Sequence, residues 1–229
     1  MTDGPNHVCI IMDGNRRWAK LHHIMPWEGH KAGKETLKKL AREWIESDVK
    51  YLTLYTFSLK NLKNRNPIEK KYLYEVVKAG VMDVLSDPYF YEQININVIG
   101  RWHLLPDKDL KKKIQEMIDK TAKNTKKVLR MAICYDGQDE IVYSCQNLID
   151  KGIKNVTPEL IKQNLFTNEL PPVDLLIRTG GEKRLSGFLL WDASYAELFF
   201  TDKLFPDCVP GTLQEAIEEF KNRKRRFGK

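Results

Sequence analysis

The sequence contains no paired-cysteine motif, no long apolar run and none of the glycine-rich signatures of an ordinary nucleotide site. Its four cysteines, Cys9, Cys134, Cys145 and Cys208, are scattered with no Cys-x-x-Cys pair. That pattern excludes a disulfide scaffold and a zinc cluster and points to a reducing compartment. No apolar stretch approaches the roughly 18 residues that a membrane-spanning helix requires. Met1 to Pro5 has neither the basic nor the apolar region of a secretory leader, so a cytoplasmic location is expected. Neither the P-loop pattern nor Gly-x-Gly-x-x-Gly occurs. Acidic residues are the scarcer charge: Asp+Glu 31 against Lys+Arg 38 leaves a net +7. Such an excess suits an anionic partner, whether nucleic acid, an acidic membrane surface or a phosphorylated substrate.

What is present is an alternation of short apolar runs with segments of helical period. Hydrophobic residues make up 42% of 229, enough for a packed core. His7 to Met12 reads as a buried strand that runs into Asp13-Gly14-Asn15. Leu37, Leu40, Ala41, Trp44 and Ile45 form the stripe of an amphipathic helix. Tyr51 to Phe57 reads as a strand, and Pro67 opens a helix through about Leu85. Strands then follow at Ile94–Ile99, Val128–Tyr135, Val173–Ile177 and Leu198–Thr201. Helices are expected at about 106–126, 138–151, 158–166 and 211–226. The alternation predicts one α/β domain over 1–229, with a mostly parallel sheet flanked by helices. In such sheets ligands bind beyond the carboxyl ends of the strands.

Polar, glycine-containing clusters stand at those places. Asp13-Gly14-Asn15-Arg16-Arg17-Trp18 follows the first strand. Taken alone it is a turn; functionally, its glycine admits phosphate oxygens, Asp13 could hold Mg²⁺ and Arg17 could supply a charged fork. Gly29-His30-Lys31-Ala32-Gly33 stands before the amphipathic stripe, where a helix amino end would favour an anion. Phe57 to Arg65 is basic and interleaved with apolar residues, and a solvated loop explains it equally well. In Asp174 to Ser186 an apolar strand delivers Arg178 to a Gly180-Gly181 turn and a second arginine, Arg184. Two arginines on one loop repel each other unless an anion lies between them. Glu197 is a carboxylate among apolar neighbours and needs a cation or donors.

These segments together resemble the cis-prenyltransferase family, which includes undecaprenyl diphosphate synthases and the makers of dolichol precursors. The resemblance is carried by His7 to Trp18, Gly29 to Gly33, Leu54 to Ser58 with Asn61, Asp174 to Ser186, and Phe188 to Asp207, in the family's order. It implies a six-stranded, mostly parallel sheet with a hydrophobic tunnel. It further implies Mg²⁺-dependent, repeated addition of isopentenyl diphosphate to an allylic diphosphate such as farnesyl diphosphate, giving a long-chain cis-polyprenyl diphosphate. A homodimer is implied, or a hetero-oligomer with a related subunit, with peripheral membrane contact for product release (at the endoplasmic reticulum for a eukaryotic member) and no nucleic acid.

By that resemblance Asp13 engages Mg²⁺ and assists diphosphate departure, and Asn61 stands near the condensing carbons. Gly14, Asn15, Arg16, Arg17, Trp18, His30 and Arg65 belong with the allylic diphosphate. Arg178, Arg184 and Ser186 belong with isopentenyl diphosphate, and Glu197 is a second metal-associated carboxylate. Arg226 and Gly228 resemble the family's Arg-x-Gly end, which reaches the partner subunit's site. The sequence departs from the pattern at Arg16, where bacterial members usually have glycine, and at Pro26, a position often basic. Lys60, Leu62 and Lys183 replace a glutamate, an aromatic and a histidine. The helix from Ile68, with Val76, Val77, Gly80, Val81 and Val84, is a candidate tunnel wall, and ordinary core packing explains it as well. Two other readings are a catalytically silent partner subunit, which would be expected to lose the Asp-Gly-Asn or paired-arginine loops, and a nucleic-acid-binding domain, which would cluster cations on one helix face. A trans-type synthase is disfavoured because no Asp-Asp-x-x-Asp motif occurs.

Overall fold

A computed structural model describes residues 4–208 and 211–223. The elements follow in the order β1 (His7–Ile11), α1 (Asn15–Leu21), α2 (Pro26–Glu46), β2 (Tyr51–Ser58), α3 (Leu59–Asn64), α4 (Pro67–Ser86), α5 (Pro88–Tyr91), β3 (Ile94–Ile99), α6 (Lys108–Thr121), β4 (Lys127–Tyr135), α7 (Gly137–Asp150), α8 (Pro158–Asn164), β5 (Leu175–Arg178), β6 (Glu197–Phe200) and α9 (Thr212–Asn222). The strands form one six-stranded sheet in the order β3-β4-β2-β1-β5-β6. Every pairing is parallel, so all strand carboxyl ends share one edge.

The side-chain period of two sends alternate residues of each strand to opposite faces. Val8 and Ile10 enter a large core with Trp44, Leu110 and Ile114; Cys9 and Ile11 enter a smaller one with Phe188 and Leu189. A strand buried on both faces reads as an unbroken apolar run, which is why β1 was legible.

Several boundaries differ from the sequence reading. The segment after β1 is a helix, with Gly14 at its cap in a left-handed conformation of φ 110°. Helix α2 begins at Pro26, eleven residues before the apolar stripe, so Gly29 to Gly33 lie inside it and His30 is not at its amino end. The basic stretch after β2 is the short helix α3, capped by the Ser58 hydroxyl, which accepts from the Asn61 N–H at 3.0 Å.

On the smaller-core face, a buried polar network ties α7 to the chain after α8. Glu140 is fully buried. The Tyr135 hydroxyl donates to its Oε2, and the Thr167 N–H donates to its Oε1 at 3.2 Å. Thr167 and Lys162 donate in turn to Asp192, at 2.5 and 2.6 Å. Burial above all, opposed by the Tyr135 hydrogen bond and reinforced by Asp192, pushes the Glu140 carboxyl from 4.5 up to about 7. The folded state therefore holds a proton that the unfolded chain has released. This contribution to stability is complete below about pH 4.5 and is lost as pH rises through about 7. Wild-type thermal midpoints should thus fall more steeply from about pH 5 to about pH 8 than those of Glu140→Gln. An identical slope in the variant would remove Glu140 as the source.

Candidate active site

The parallel pairing of β1 with β5 sets Ile11 opposite Arg178, so the loop after β1 and the loop after β5 meet at one edge. Arg178 is only 3% exposed. Its Nη2 donates to Asp13 Oδ2 at 2.9 Å and its Nη1 to Ser186 Oγ at 2.7 Å and to the Arg184 carbonyl. Arg17 Nη2 lies 3.1 Å from Asp13 Oδ1, and Arg17 Nη1 donates to the Gly180 carbonyl at 2.6 Å. Thr179 stitches the loops together: its hydroxyl accepts from the Asp13 N–H at 2.9 Å and donates to the Asp13 carbonyl at 2.7 Å. A Cβ on Gly180, whose φ is +82°, would stand 2.5 Å from Arg17 Nη2. Only glycine lets the β5 loop approach this closely.

Helix α1 lies against α2 through a second close approach. A Cβ at Gly29 would fall 2.1 Å from the Asn15 carbonyl oxygen, and one at Gly33 2.1 Å from Asn15 Oδ1. Between the helices and Arg65 lies a cavity of about 650 Å³, lined by Asp13 to Arg17, Lys20, His30 and Arg65. Arg16 and Arg65 share Glu69, at 3.3 and 4.0 Å. Burial, then the Arg65 and Arg16 charges, hold His30 down at about 4. Its imidazole is neutral at physiological pH. Burial first, then Arg16, also lowers the Arg65 pKa, opposed by Glu69.

Four buried side-chain polar atoms lack a hydrogen-bond partner among the described residues, and three belong here: Asn15 Oδ1, His30 Nε2 and Arg178 Nε. Each such atom costs about 1–3 kcal/mol in desolvation. Arg178 Nε is a donor without an acceptor, and with the crowded guanidiniums of Arg16, Arg17 and Arg65 it suits a site for an anion. Asn15 Oδ1, in contrast, is itself an acceptor packed against Gly33.

An apolar cleft of about 430 Å³ opens from the same residues. Asp13, His30, Asn61, Arg65, Arg178 and Ser186 line it together with Leu37, Leu73, Val76, Val77, Gly80 and Met131. A polar head and an apolar body can therefore be held at once. Val76, Val77 and Gly80 face the cleft as the α4 reading expects, whereas Val81 is fully buried in the core.

Three expected residues stand elsewhere. The Trp18 indole donates to Asp207 Oδ1 at 2.6 Å and stacks on His22, because its direction on α1 is turned away from Arg17. Glu197 opens β6, three residues before the strand position paired with Arg178, and its Oε2 is held by Arg223 at 3.0 Å. The structure therefore does not bring it to Asp13, and a local ion pair supplies the cation it needs. The Arg184 guanidinium is 61% exposed and pairs with Glu182, while its carbonyl supports Arg178. Arg226 and Gly228 lie outside the described residues. Sequence reasoning missed Lys20, which lines the cavity; reading Asn15 to Leu21 as a helix would have placed it one turn from Arg16 and Arg17.

No group of three or more His, Cys, Asp or Glu side chains among the described residues is arranged to hold a metal ion. Mg²⁺ needs none, since it is commonly bound through one or two carboxylates, substrate phosphates and its own waters. Asp13, 31% exposed and facing guanidiniums that a diphosphate would also attract, fits that mode.

Fold and site together define an α/β protein with a cationic pocket beside an apolar cleft. The chain matches, over residues 11–228, the family model described as "Putative undecaprenyl diphosphate synthase". It is 42% identical to the isoprenyl transferase of Rickettsia typhi over 97% of both chains. It is 41% identical to that of Treponema denticola, covering 100% of this chain and 99% of the other. Among solved structures it resembles lavandulyl diphosphate synthase from Lavandula x intermedia in complex with dimethylallyl diphosphate, with a TM-score of 0.92, 31% identity and full coverage of both chains. It also resembles a probable undecaprenyl diphosphate synthase from Campylobacter jejuni, with a TM-score of 0.82 and 31% identity over 98% and 99% of the chains. The chain belongs to the undecaprenyl diphosphate synthase family of prenyltransferases, the family its sequence resembles.

The glycine contacts are directly testable. Gly29→Ala should destabilise the protein by about 1–3 kcal/mol through overpacking. A Cβ at Gly80 meets nothing within 4 Å, so Gly80→Ala should be neutral or stabilising by up to about 1 kcal/mol. Denaturant titration that ranks the two variants equally would contradict the close helix approach.

Proposed function

We propose that this chain is a Mg²⁺-dependent cis-prenyltransferase that adds isopentenyl diphosphate repeatedly to an allylic diphosphate such as farnesyl diphosphate. The observation that carries this reading is the juxtaposition of a crowded cationic cavity with an apolar cleft, the two sharing Asp13, Asn15, His30 and Arg65 in their linings. The allylic diphosphate lies in the cavity of Arg16, Arg17, Lys20, His30 and Arg65. The first-turn N–H groups of Asn15, Arg16 and Arg17, which have no acceptor within α1, serve as further donors. Isopentenyl diphosphate is held by Arg178 with Ser186, and Arg184 closes over it from the rim.

When bound, Mg²⁺ offsets the negative charge that gathers on the departing diphosphate. Asp13 would hold that ion, while Arg17 stabilises the same developing charge as a preorganised donor. Asn61, on the first turn of α3, keeps the isopentenyl double bond near the carbon that becomes electron-poor. The cleft between α2 and α4 receives the growing chain, each buried CH₂ contributing about 0.8 kcal/mol. On this reading the enzyme acts as a homodimer.

A shorter primer is the second reading, because a similar structure is of a synthase in complex with dimethylallyl diphosphate. The test is incubation with labelled isopentenyl diphosphate, Mg²⁺ and either farnesyl or dimethylallyl diphosphate, followed by product sizing. Elongated farnesyl products are expected; products from dimethylallyl diphosphate alone would favour the second reading, and no incorporation with either would overturn both. Asp13→Ala should lose at least about a hundredfold in kcat, the usual scale for removing a group that stabilises developing charge. Near-normal turnover would remove Asp13 from the chemistry. Arg184→Ala should raise the KM for isopentenyl diphosphate about tenfold, the scale of one charged contact.

A further inference from the structure

We propose that Tyr55 is a positioning residue for the Arg178 anion site, holding with its hydroxyl and its ring the strained turn that carries Ser186. Among the described residues, four that are not glycine have a left-handed backbone: His23, Cys134, Ser186 and Leu189, at φ 55°, 52°, 52° and 44°. Three of them stand at or next to a group that touches Tyr55: Ser186 itself, Leu189 beside Phe188, and Cys134 beside Tyr135. Such conformations persist only where the surroundings enforce them, and they gather at sites whose geometry matters.

The turn over residues 185–190 closes with the Phe188 N–H donating to the Leu185 carbonyl at 3.0 Å. Gly187 within it is also left-handed, at φ 82°. Support comes from two sides. From α7, the Gly137 N–H donates to the Gly187 carbonyl at 2.7 Å, and a Cβ on Gly137 would stand 2.8 Å from that oxygen. From β2, the Tyr55 hydroxyl lies 3.4 Å from the Ser186 carbonyl and 3.3 Å from that of Tyr135, one donor shared by two acceptors. The Tyr55 ring lies flat on Phe188, with centroids 4.5 Å apart, and Tyr135 meets both rings edge-on. Phe188 is fully buried, so this stack anchors the turn to the smaller core.

The sheet is distorted where the arrangement is made. Strands β2 and β4 shift register between Tyr55 and Phe57 and again between Phe57 and Ser58. Ile133 and Cys134 both enter the larger core, so Tyr135 is turned to the smaller one beside Tyr55. Irregularities of this kind re-aim side chains next to functional sites. Burial first, then the Asp136 carboxylate, raise the Tyr55 phenol above its ordinary value, so the hydroxyl stays protonated and remains a donor.

What the turn holds in place is one end of a guanidinium. Arg178 Nη2 is fixed by Asp13, whereas Nη1 is fixed by the Ser186 hydroxyl at 2.7 Å and by the Arg184 carbonyl. Tyr55, Arg178 and Ser186 line the same cleft. A turn released from Tyr55 would leave Arg178 held firmly at the Asp13 end alone. The inference rests on the proposed assignment of Arg178 and Ser186 to isopentenyl diphosphate.

Tyr55→Phe tests it, because the ring stack stays and only the hydroxyl goes. The KM for isopentenyl diphosphate should rise about fivefold, the scale of one neutral hydrogen bond. The kcat, the KM for farnesyl diphosphate and the thermal midpoint should keep their wild-type values. In the same variant the amides of residues 185–190 should exchange with deuterium about fivefold faster, since the turn opens more often. Tyr135→Phe disturbs the same ring cluster but keeps its backbone carbonyl. It should lower the thermal midpoint through the lost bond to Glu140 without moving that KM. Unchanged KM or unchanged exchange in Tyr55→Phe, a fall in its kcat instead, or an equal rise of KM in Tyr135→Phe would overturn the proposal. No incorporation by the wild type would overturn the catalytic reading instead, and the exchange rates alone would then decide whether Tyr55 holds the turn.

Discussion

The ion pair between Asp13 and Arg178 is the interaction on which the rest of the site depends. It joins residues far apart in sequence only because β1 and β5 lie side by side in parallel, with Ile11 and Arg178 in register. A slip of one residue would turn Arg178 to the opposite face of the sheet and separate the two loops. Burying such a pair is a weak source of stability, since desolvation offsets most of the attraction. Its effect is placement. With Arg178 fixed by Ser186 and the Arg184 carbonyl, and Asp13 stitched to Thr179, Arg17 reaches the Asp13 carboxylate and the Gly180 carbonyl, with Glu182 farther off at 3.9 Å. Three charged side chains are thereby held at a single strand edge before any ligand arrives.

The second constraint is steric. Helix α2 comes so close to α1 that Gly29 and Gly33 admit no side chain. Two glycines inside a helix weaken it, by roughly 0.5–1 kcal/mol each relative to alanine. What the weakening permits is the position of His30 and Asn15, two residues that line the cavity and each bury one polar atom without a hydrogen-bond partner. Residues that are locally unfavourable in two different ways, conformational and polar, share one helix interface. Such departures from local consistency are expected where a structure is shaped for binding.

Much of this was legible in the sequence, for identifiable reasons. Strands buried on both faces, such as His7–Ile11, announce themselves as apolar runs, and Arg178 at the end of another was visibly delivered to a strand terminus. Helix α1 was not legible because Asp-Gly-Asn is turn chemistry and only Ala19 is buried along its length, so no apolar period forms. The early start of α2 was hidden for a related reason, its first turns being packed through glycines instead of large side chains. Glu197 misled because its partner, Arg223, is supplied by a helix end that no local pattern links to β6. Trp18 misled because its neighbours in sequence face the cavity while its own direction on the helix leads to Asp207.

The excess of positive charge resolves into populations with different work. Arg16, Arg17, Lys20 and Arg65 line one cavity and Arg178 the adjoining cleft, and there burial and the neighbouring Arg16 make Arg65 in particular a stronger partner for an anion. Other cations pair within their own helix, as Lys113 does with Glu116, or tie separate elements together, as Lys34 does with Asp83 and Arg101 with Asp139. Helix α1 carries both kinds of surface on seven residues: Arg16, Arg17 and Lys20 face the cavity, and Leu21 leads into the apolar turn.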